Sequence, residues 1–415
     1  MKNIYKKIAL SFVAFAAYTN VFATDLCVAE NGTGGCYATI TDALNAAVSG
    51  DRILVSPKSG NAAYVEDLNI TKSIQILSNT EATQFTMQGN IIIVPANGRM
   101  VTIVGMNNLT GSVYPTANCP VGPRCAVKIM NCNFAYGSIK FDYDNFDVAA
   151  VSNVITDGYI FIRYGKVIGN DVKTTANYAL VYSYYSAAIY IGQDGSPTND
   201  TVLVIGNKIN VNFSYGYATG ILENSSSQFY YFSNNLITNI CGGGYGINMF
   251  TTKNSALGRN SVINNTSSFP TVPGNGIAIS AVANSYVDVY NNLILGQSGY
   301  GINANAQCGV SFNFMNNPLT LIGVVNDGTN NLSSNTTLAV TGKPNAGSDA
   351  INGGYPDKGF YDINLTINDA GAFGGSFTLD NYFPVTGAAR VYMISAPRKV
   401  TVGTSINVTA DGFDR

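Results

Sequence analysis

Asp142 and Asp144 stand two residues apart in "KFDYDNFD", and Arg163 and Lys166 follow in "YIFIRYGK". In an extended strand, residues i and i+2 share a face, so the two carboxylates would point the same way. Two carboxylates opposite two cations suit Ca²⁺-assisted proton abstraction from an anionic sugar. Ca²⁺ takes oxygen ligands and stabilises developing negative charge, while a cation of depressed pKa removes the carbon-bound proton. On that reading Asp142 and Asp144 hold the metal, Arg163 or Lys166 is the base, and Asp171 lies near. The same four residues also describe a plain ion ladder between neighbouring strands.

Composition removes many other chemistries. The chain has no His, so His-based acid–base catalysis, Ser/Cys–His nucleophile pairs and most catalytic zinc sites are excluded. Charged residues make up only 11% and the formal net charge is −2. A nucleic-acid partner or an anionic membrane surface would call for a basic patch that such a chain lacks. A second set of residues suits sugar rings, because Tyr joins a flat apolar face to a hydroxyl. Tyr182, Tyr184, Tyr190, Tyr215, Tyr217 and Tyr231 fall in "NYALVYSYYSAAIYIG", "FSYGYATG" and "SQFYYFSNN". They would line an exposed flank, or stack to shield strand edges. "GQDGSPTND", with Asp194 and Asp200, reads as a loop and a binding edge.

The elements that position these residues emerge from an internal repeat. Asn207, Asn235, Asn260, Asn292 and Asn317 can be set in one file. Five residues earlier stand Val202, Tyr230, Ser255, Val287 and Phe312; three earlier stand Val204, Phe232, Leu257, Val289 and Phe314. Two later come Ile209, Ile237, Val262, Ile294 and Leu319. All but Ser255 are apolar, and the odd offset of the last set implies a bend at the Asn. "GYGIN" recurs at Gly244–Asn248 and Gly299–Asn303, and Gly220, Gly246, Gly276 and Gly301, each followed by Ile, precede these Asn residues at a near-constant distance. Upstream, Val127, Ile129, Cys132 and Phe134 match with Cys in the Asn place, as do Val148, Ala150, Asn153 and Ile155, and partly Val167, Asn170 and Val172.

Such files are expected of a parallel β-helix, in which each coil lays its strands ~4.8 Å above those of the previous coil. The Asn would take a left-handed conformation at the bend and bond its copies above and below. The Gly-Ile phrase would mark a coil corner. The 21-residue step from Cys132 to Asn153 places Arg163 beside Asp142 on the next coil.

The ends are distinct. "MKNIYKKIALSFVAFAAYTNVFA" reads as a secretory signal peptide over residues 1–23, with a basic start, a short apolar core and a small-residue cleavage site. No later run reaches the ~20 apolar residues of a membrane span. Residues 24–51 form a cap: Thr41 or Asp42 starts a short helix with Ile40, Leu44, Ala47 and Val48 on one side, and Gly50 ends it. The β-helix takes residues 52–340, with its first strand from Ile53 to Val55. Seven cysteines in an exported chain imply disulfides plus at least one free thiol. Cys27 with Cys36 and Cys119 with Cys125 bracket short loops and are the expected pairs. Cys132, Cys241 and Cys308 fall in or beside strands and are expected to be buried apolar residues.

The run "CYATITDALNAAVSGDRILVSP" with "AYVEDLNITKSIQIL" resembles the start of secreted right-handed β-helix proteins of the pectate-lyase-like superfamily. "AGSDAINGGYP" and "NDAGAFGG" resemble the closing coil called choice-of-anchor Q, with Ala370 where Ile is usual. The resemblance implies an all-β, right-handed parallel β-helix solenoid with a short N-terminal capping helix. It also implies a closing coil over 341–383, while the alternation in "ARVYMISAPRKVTVGTSINVTADGFDR" around Gly403 reads as C-terminal strands over 384–415. It is nearly silent on function, because the fold hosts lyases, hydrolases, adhesins and inert stalks.

The leading expectation is an exported, secreted or cell-surface protein that is non-catalytic and adheres to or contacts glycans, with no cofactor. The alternatives are a Ca²⁺-dependent polysaccharide lyase acting on anionic glycans, and a structural spacer. The expected partner is a polysaccharide or surface glycan, with no nucleic acid and no membrane insertion.

Overall fold

A computed structural model describes residues 23–80, 83–175, 186–195, 199, 201–212, 218–224, 228–238, 244–251, 253, 258–269, 274–282, 284–296, 299–305, 307–316, 321–383, 390–395 and 405–413. Its strands assemble into three parallel sheets of 12, 11 and 11 strands, in which consecutive members of a sheet come from successive coils. The chain is therefore a parallel β-helix, all-β apart from short helical pieces. Among the described residues no helix is long and apolar enough to cross a membrane.

The interior consists of vertical files. In the 12-stranded sheet Val127 lies against Val148 and Ile129 against Ala150; further along, Val204, Phe232, Val262, Val289 and Val310 form one file. One 11-stranded sheet carries Ile221, Ile247, Ile277 and Ile302 in register, so the Gly-Ile phrases do stack. They lie within strands such as Tyr245–Thr251 rather than at a corner. Glycine is needed there because a Cβ on Gly246 or Gly276 would sit 2.8 or 2.3 Å from the carbonyl oxygen of the Gly above.

The bend between the 12-stranded sheet and the second 11-stranded sheet holds a ladder of buried asparagines: Asn153, Asn170, Asn207, Asn235, Asn265, Asn292, Asn313 and Asn330. Each passes its Nδ2 to the Oδ1 of the next at 2.9–3.1 Å. Each backbone N–H does the same. Cys132 begins the file, donating its N–H to Asn153 Oδ1 at 3.0 Å. The successive steps of 21, 17, 37, 28, 30, 27, 21 and 17 residues show how far the outer loops vary.

Two members of the expected file are corrected. Asn265, not Asn260, follows Asn235, and Asn313, not Asn317, follows Asn292. Asn260 instead occupies the inward position beside Val287, accepting the Tyr230 N–H. The spacing from each Gly to the ladder is accordingly not constant. The left-handed residue is also not the ladder Asn but the one before it: Asn131, Ser152, Gly169, Gly206, Asn234, Asn264, Asn291 and Phe312 all have φ of 51–66°. This frees the ladder Asn to stay extended and turn its amide inward.

At the N-terminal end, strand Asp25–Val28 precedes Arg52–Val55 and pairs with it. Helix Ile40–Ala46 buries Ile40, Ala43 and Leu44 against the first coil. Its N-cap is Thr39, not Thr41 or Asp42, and Glu66 accepts the N–H groups of Ile40 and Thr41. Ala47 is buried but Val48 is exposed. The Cys27–Cys36 disulfide is present.

Residues 341–383 do not add a coil. They run back as a strap along the outside of the corner between the 12-stranded sheet and the second 11-stranded sheet. Tyr355 stacks on Tyr290, Phe377 meets Tyr231, and Tyr382 packs on the bare backbone of Gly169 and Gly206. The side chains of Asn234 and Asn264 donate to Gly374 O at 2.6 and 3.2 Å, and Asn291 Oδ1 accepts the Tyr355 N–H. An antiparallel hairpin, Arg390–Ser395 with Thr409–Phe413, follows. Tyr382 and Tyr392 cover an outer apolar file of Leu77, Val104, Met130, Val151, Ile168 and Ile205.

Candidate functional site

Strand Ile139–Lys140 of an 11-stranded sheet turns through residues 141–145 into strand Phe146–Val151 of the 12-stranded sheet. Phe141 and Phe146 are buried with ring centroids 5.4 Å apart, which pins both ends of the turn to the core. Asp142 and Asp144 are thus in a turn, not a strand, because Asn145 (φ 65°) bends the chain between them and Phe146.

The 21-residue offset holds: Ile139 pairs with Ile160, so Arg163 arrives level with Asp142. Its guanidinium nevertheless goes to Asp144, at 2.6 Å. Asp144 Oδ1 also accepts the Gly195 N–H at 2.8 Å, two coils on, and Asp144 N–H donates to Asn118 Oδ1 one coil back. Asp142 pairs with Lys140 at 3.1 Å. Lys166 lies elsewhere, on the outer face of the 12-stranded sheet beside Ala149 and Leu203, and reaches Asp411 of the C-terminal hairpin at 2.5 Å. Asp171 sits in the second 11-stranded sheet beside Lys208; burial raises its carboxyl pKa, against the field of Lys173 and Lys208.

The cluster has a third ion pair that the sequence did not suggest. Arg124 donates to Asp194 at 2.5 Å across 70 residues, and the Asp194 side chain is fully buried. The Arg124 guanidinium also lies 4.0 Å above the Tyr164 ring and donates to Phe146 O. Asp194 Oδ1 accepts the Asn145 N–H. Successive coils are therefore cross-braced at one corner by Arg124–Asp194 and Arg163–Asp144. The only sequence signal was Arg124 inside "CPVGPRC", a loop with no visible tie to Asp194.

This donor set does not fit Ca²⁺. Asp144 is taken by a guanidinium and an amide, and Asp142 by an ammonium. Among the described residues no group of three or more His, Cys, Asp or Glu is placed to hold a metal.

Of the tyrosines, Tyr182, Tyr184, Tyr215 and Tyr217 lie outside the described residues, as does Cys241. Tyr190 is half-buried on the outer face of the first 11-stranded sheet, its ring 4.5 Å from Phe161. Tyr231 lies on the 12-stranded sheet against Phe377 of the strap, so the two do not share a flank. Cys119 and Cys125 are buried thiols rather than a disulfide. Burial raises Cys119 and pushes Cys125 up to about 11. Cys132 is buried in the ladder file, at about 12, and Cys308 is half-buried.

No known family's sequence profile matches the chain, and no curated protein matches it. Among solved structures, the crystal structure of pectate lyase Pel9A aligns with a TM-score of 0.49 and 14% identity, over 86% of this chain and 97% of that one.

Proposed function

We propose that this protein is exported and contacts polysaccharide through the outer face of its first 11-stranded sheet, without cleaving the polymer. The observation that carries the non-catalytic part is the mutual pairing of the candidate groups. Asp144 is engaged by Arg163 and Gly195, Asp142 by Lys140, and Lys166 by a hairpin on a different sheet. A lyase needs its carboxylates turned to a metal and its base turned to substrate.

The strap packs on the 12-stranded and second 11-stranded sheets and the hairpin on the 12-stranded sheet, whereas the outer face of the first 11-stranded sheet carries Tyr114, Lys140, Phe161, Tyr190, Leu222 and Asn248 in successive coils, with Phe161 and Leu222 buried and the two tyrosines half-buried. Flat rings flanked by amide and ammonium groups suit stacking against sugars with hydrogen bonds at the edge. The Cys27–Cys36 disulfide fits an oxidising compartment and so supports export.

The test is to incubate the purified chain with immobilised neutral and anionic polysaccharides, with and without Ca²⁺. Retention and absorbance of unsaturated product are read together. Retention without product, weakened at least fivefold by Tyr190→Ala, supports the proposal. Ca²⁺-dependent product that disappears in Asp144→Ala establishes the lyase instead, and no retention on any polymer leaves a spacer.

A further inference from the structure

We propose that Cys119 and Cys125 are a reversible thiol–disulfide pair whose closed form locks the "CPVGPRC" loop, and with it Arg124, onto the Asp144–Asp194 brace. Both thiols are buried in one core cluster at the Ala96 carbonyl, to which Cys119 Sγ donates at 3.6 Å, and each side chain shifts the other's titration. Pro120 and Pro123 stiffen the loop between them, and Gly122 (φ 141°) approaches Asn97 so closely that a Cβ would fall 2.8 Å from its Nδ2. Closure therefore demands little further ordering.

The loop is sewn to one place on the next coil. Cys119 N–H donates to Asp144 O at 3.0 Å and Cys125 N–H to Asn145 O at 3.2 Å. Asn145 Nδ2 donates to Pro120 O at 2.6 Å, and Arg124 donates to Phe146 O at 3.1 Å. Residues 144–146 in turn carry the carboxylate that holds Arg163 and the N–H that Asp194 accepts. A bond across the base of the loop thus acts directly on both ion pairs.

Burial disfavours both thiolates, and nearby cations work against it. Arg99 favours the thiolate of both cysteines and Arg124 that of Cys119, each opposing burial. Nη1 of Arg99 is buried with no hydrogen-bond partner. Cys119 reacts first, since it keeps 3% exposure against none for Cys125 and accepts the Cys125 thiol hydrogen bond as its thiolate forms. The Cys119 thiolate attacks a low-molecular-weight disulfide such as glutathione disulfide, forming a mixed disulfide and expelling one thiolate. Cys125 loses its proton, attacks Cys119 Sγ and expels the second. Two protein thiols are oxidised, one external disulfide is reduced to two thiols, and the two protons end on the products. Cys132 and Cys308 have no described Cys neighbour and serve as internal controls.

The test equilibrates the full-length protein across glutathione/glutathione disulfide ratios, followed by acid quench, alkylation and peptide mapping. We expect Cys119 and Cys125 to lose alkylation together and give a linked peptide, while Cys132 and Cys308 remain thiols. Amide exchange at 144–146 should slow at least tenfold in the oxidised form, and Cys119→Ser should keep the faster rate under both conditions. A pair that stays reduced in excess glutathione disulfide overturns the proposal. So does a different Cys partner, or closure that leaves exchange at 144–146 unchanged.

Discussion

Asn235→Ala tests the ladder at its centre. The Asn235 side chain is fully buried and makes four bonds. It donates to Asn265 Oδ1 and Val204 O, both at 2.9 Å, and accepts from the backbone N–H and Nδ2 of Asn207 at 3.1 and 2.9 Å. Truncation strands Asn207 N–H and one Asn207 amide hydrogen, whereas Val204 O stays in the parallel ladder with the next strand and Asn265 Oδ1 keeps the Asn235 N–H. An unsatisfied buried polar group costs about 1–3 kcal/mol, so two of them bring about 2–6 kcal/mol. Urea unfolding followed by circular dichroism, with exchange protection of Asn207 N–H as the local readout, measures this. Asn69→Ala, at an exposed outward position, is the control and should stay within about 0.5 kcal/mol. Asn235→Asp should be worse than Asn235→Ala, because a carboxylate would face Asn265 Oδ1 and Val204 O. If Asn235→Ala lies within about 1 kcal/mol of the control, the ladder is not what holds the corner and the reasoning fails.

The two ion pairs at the brace should separate by burial. Arg163→Ala, removing a pair that is 28% and 27% exposed, should cost under about 1 kcal/mol, whereas Arg124→Ala leaves a buried carboxylate and should cost about 3 kcal/mol in the same urea assay. Lys72 Nζ donates to the carbonyls of Leu44, Asn45 and Ala47 at 3.0, 3.0 and 2.5 Å, closing the C-terminus of the capping helix. Lys72→Met should lower stability by about 1–2 kcal/mol and speed exchange in residues 40–47. The strap should respond to pH through Asp362 and Asp369, whose carboxyls burial holds above 3.8. The folded state then binds their protons more readily than the unfolded chain, so their contribution rises as pH falls from neutral and is complete below 3.8. The urea midpoint of the wild-type chain should move up between pH 7 and pH 5 by more than that of Asp362→Asn; an equal movement refutes the assignment.

The upstream part of the repeat was legible because most inward positions there are apolar: Val127 lies with Val148 and Ile129 with Ala150 and Val167, interrupted at Gly165, and Cys132 was rightly set in the Asn place. The register slipped at two coils, at Asn260 and at Asn317, and at the first the physical reason is plain. That coil's true inward residues are Asn260, Val262 and Ser267, two of them polar, so apolar matching favoured a frame centred on Asn260. The doublets Asn234-Asn235, Asn264-Asn265 and Asn291-Asn292 carried the missing signal. The first Asn of each takes the left-handed turn and faces the strap, while the second enters the ladder. At the candidate site the coil offset was readable, but the partners were not. Arg163 passes Asp142 for Asp144 because the turn at Asn145 re-aims both carboxylates.

What the amino-acid order settled alone was the winding: parallel coils stacked in files, a helical cap and a Cys27–Cys36 staple, since each follows from short-range spacing and side-chain type. Only the folded chain decided which Asn bonds which, that Cys119 and Cys125 rest as thiols, that Lys166 turns from the carboxylates to the hairpin, and that residues 341–383 lie along a sheet corner as a strap. Apart from the cysteine pair, those choices join groups between 17 and 245 residues apart. Contacts at such range depend on loop lengths and on how coils settle over one another, which local pattern does not record.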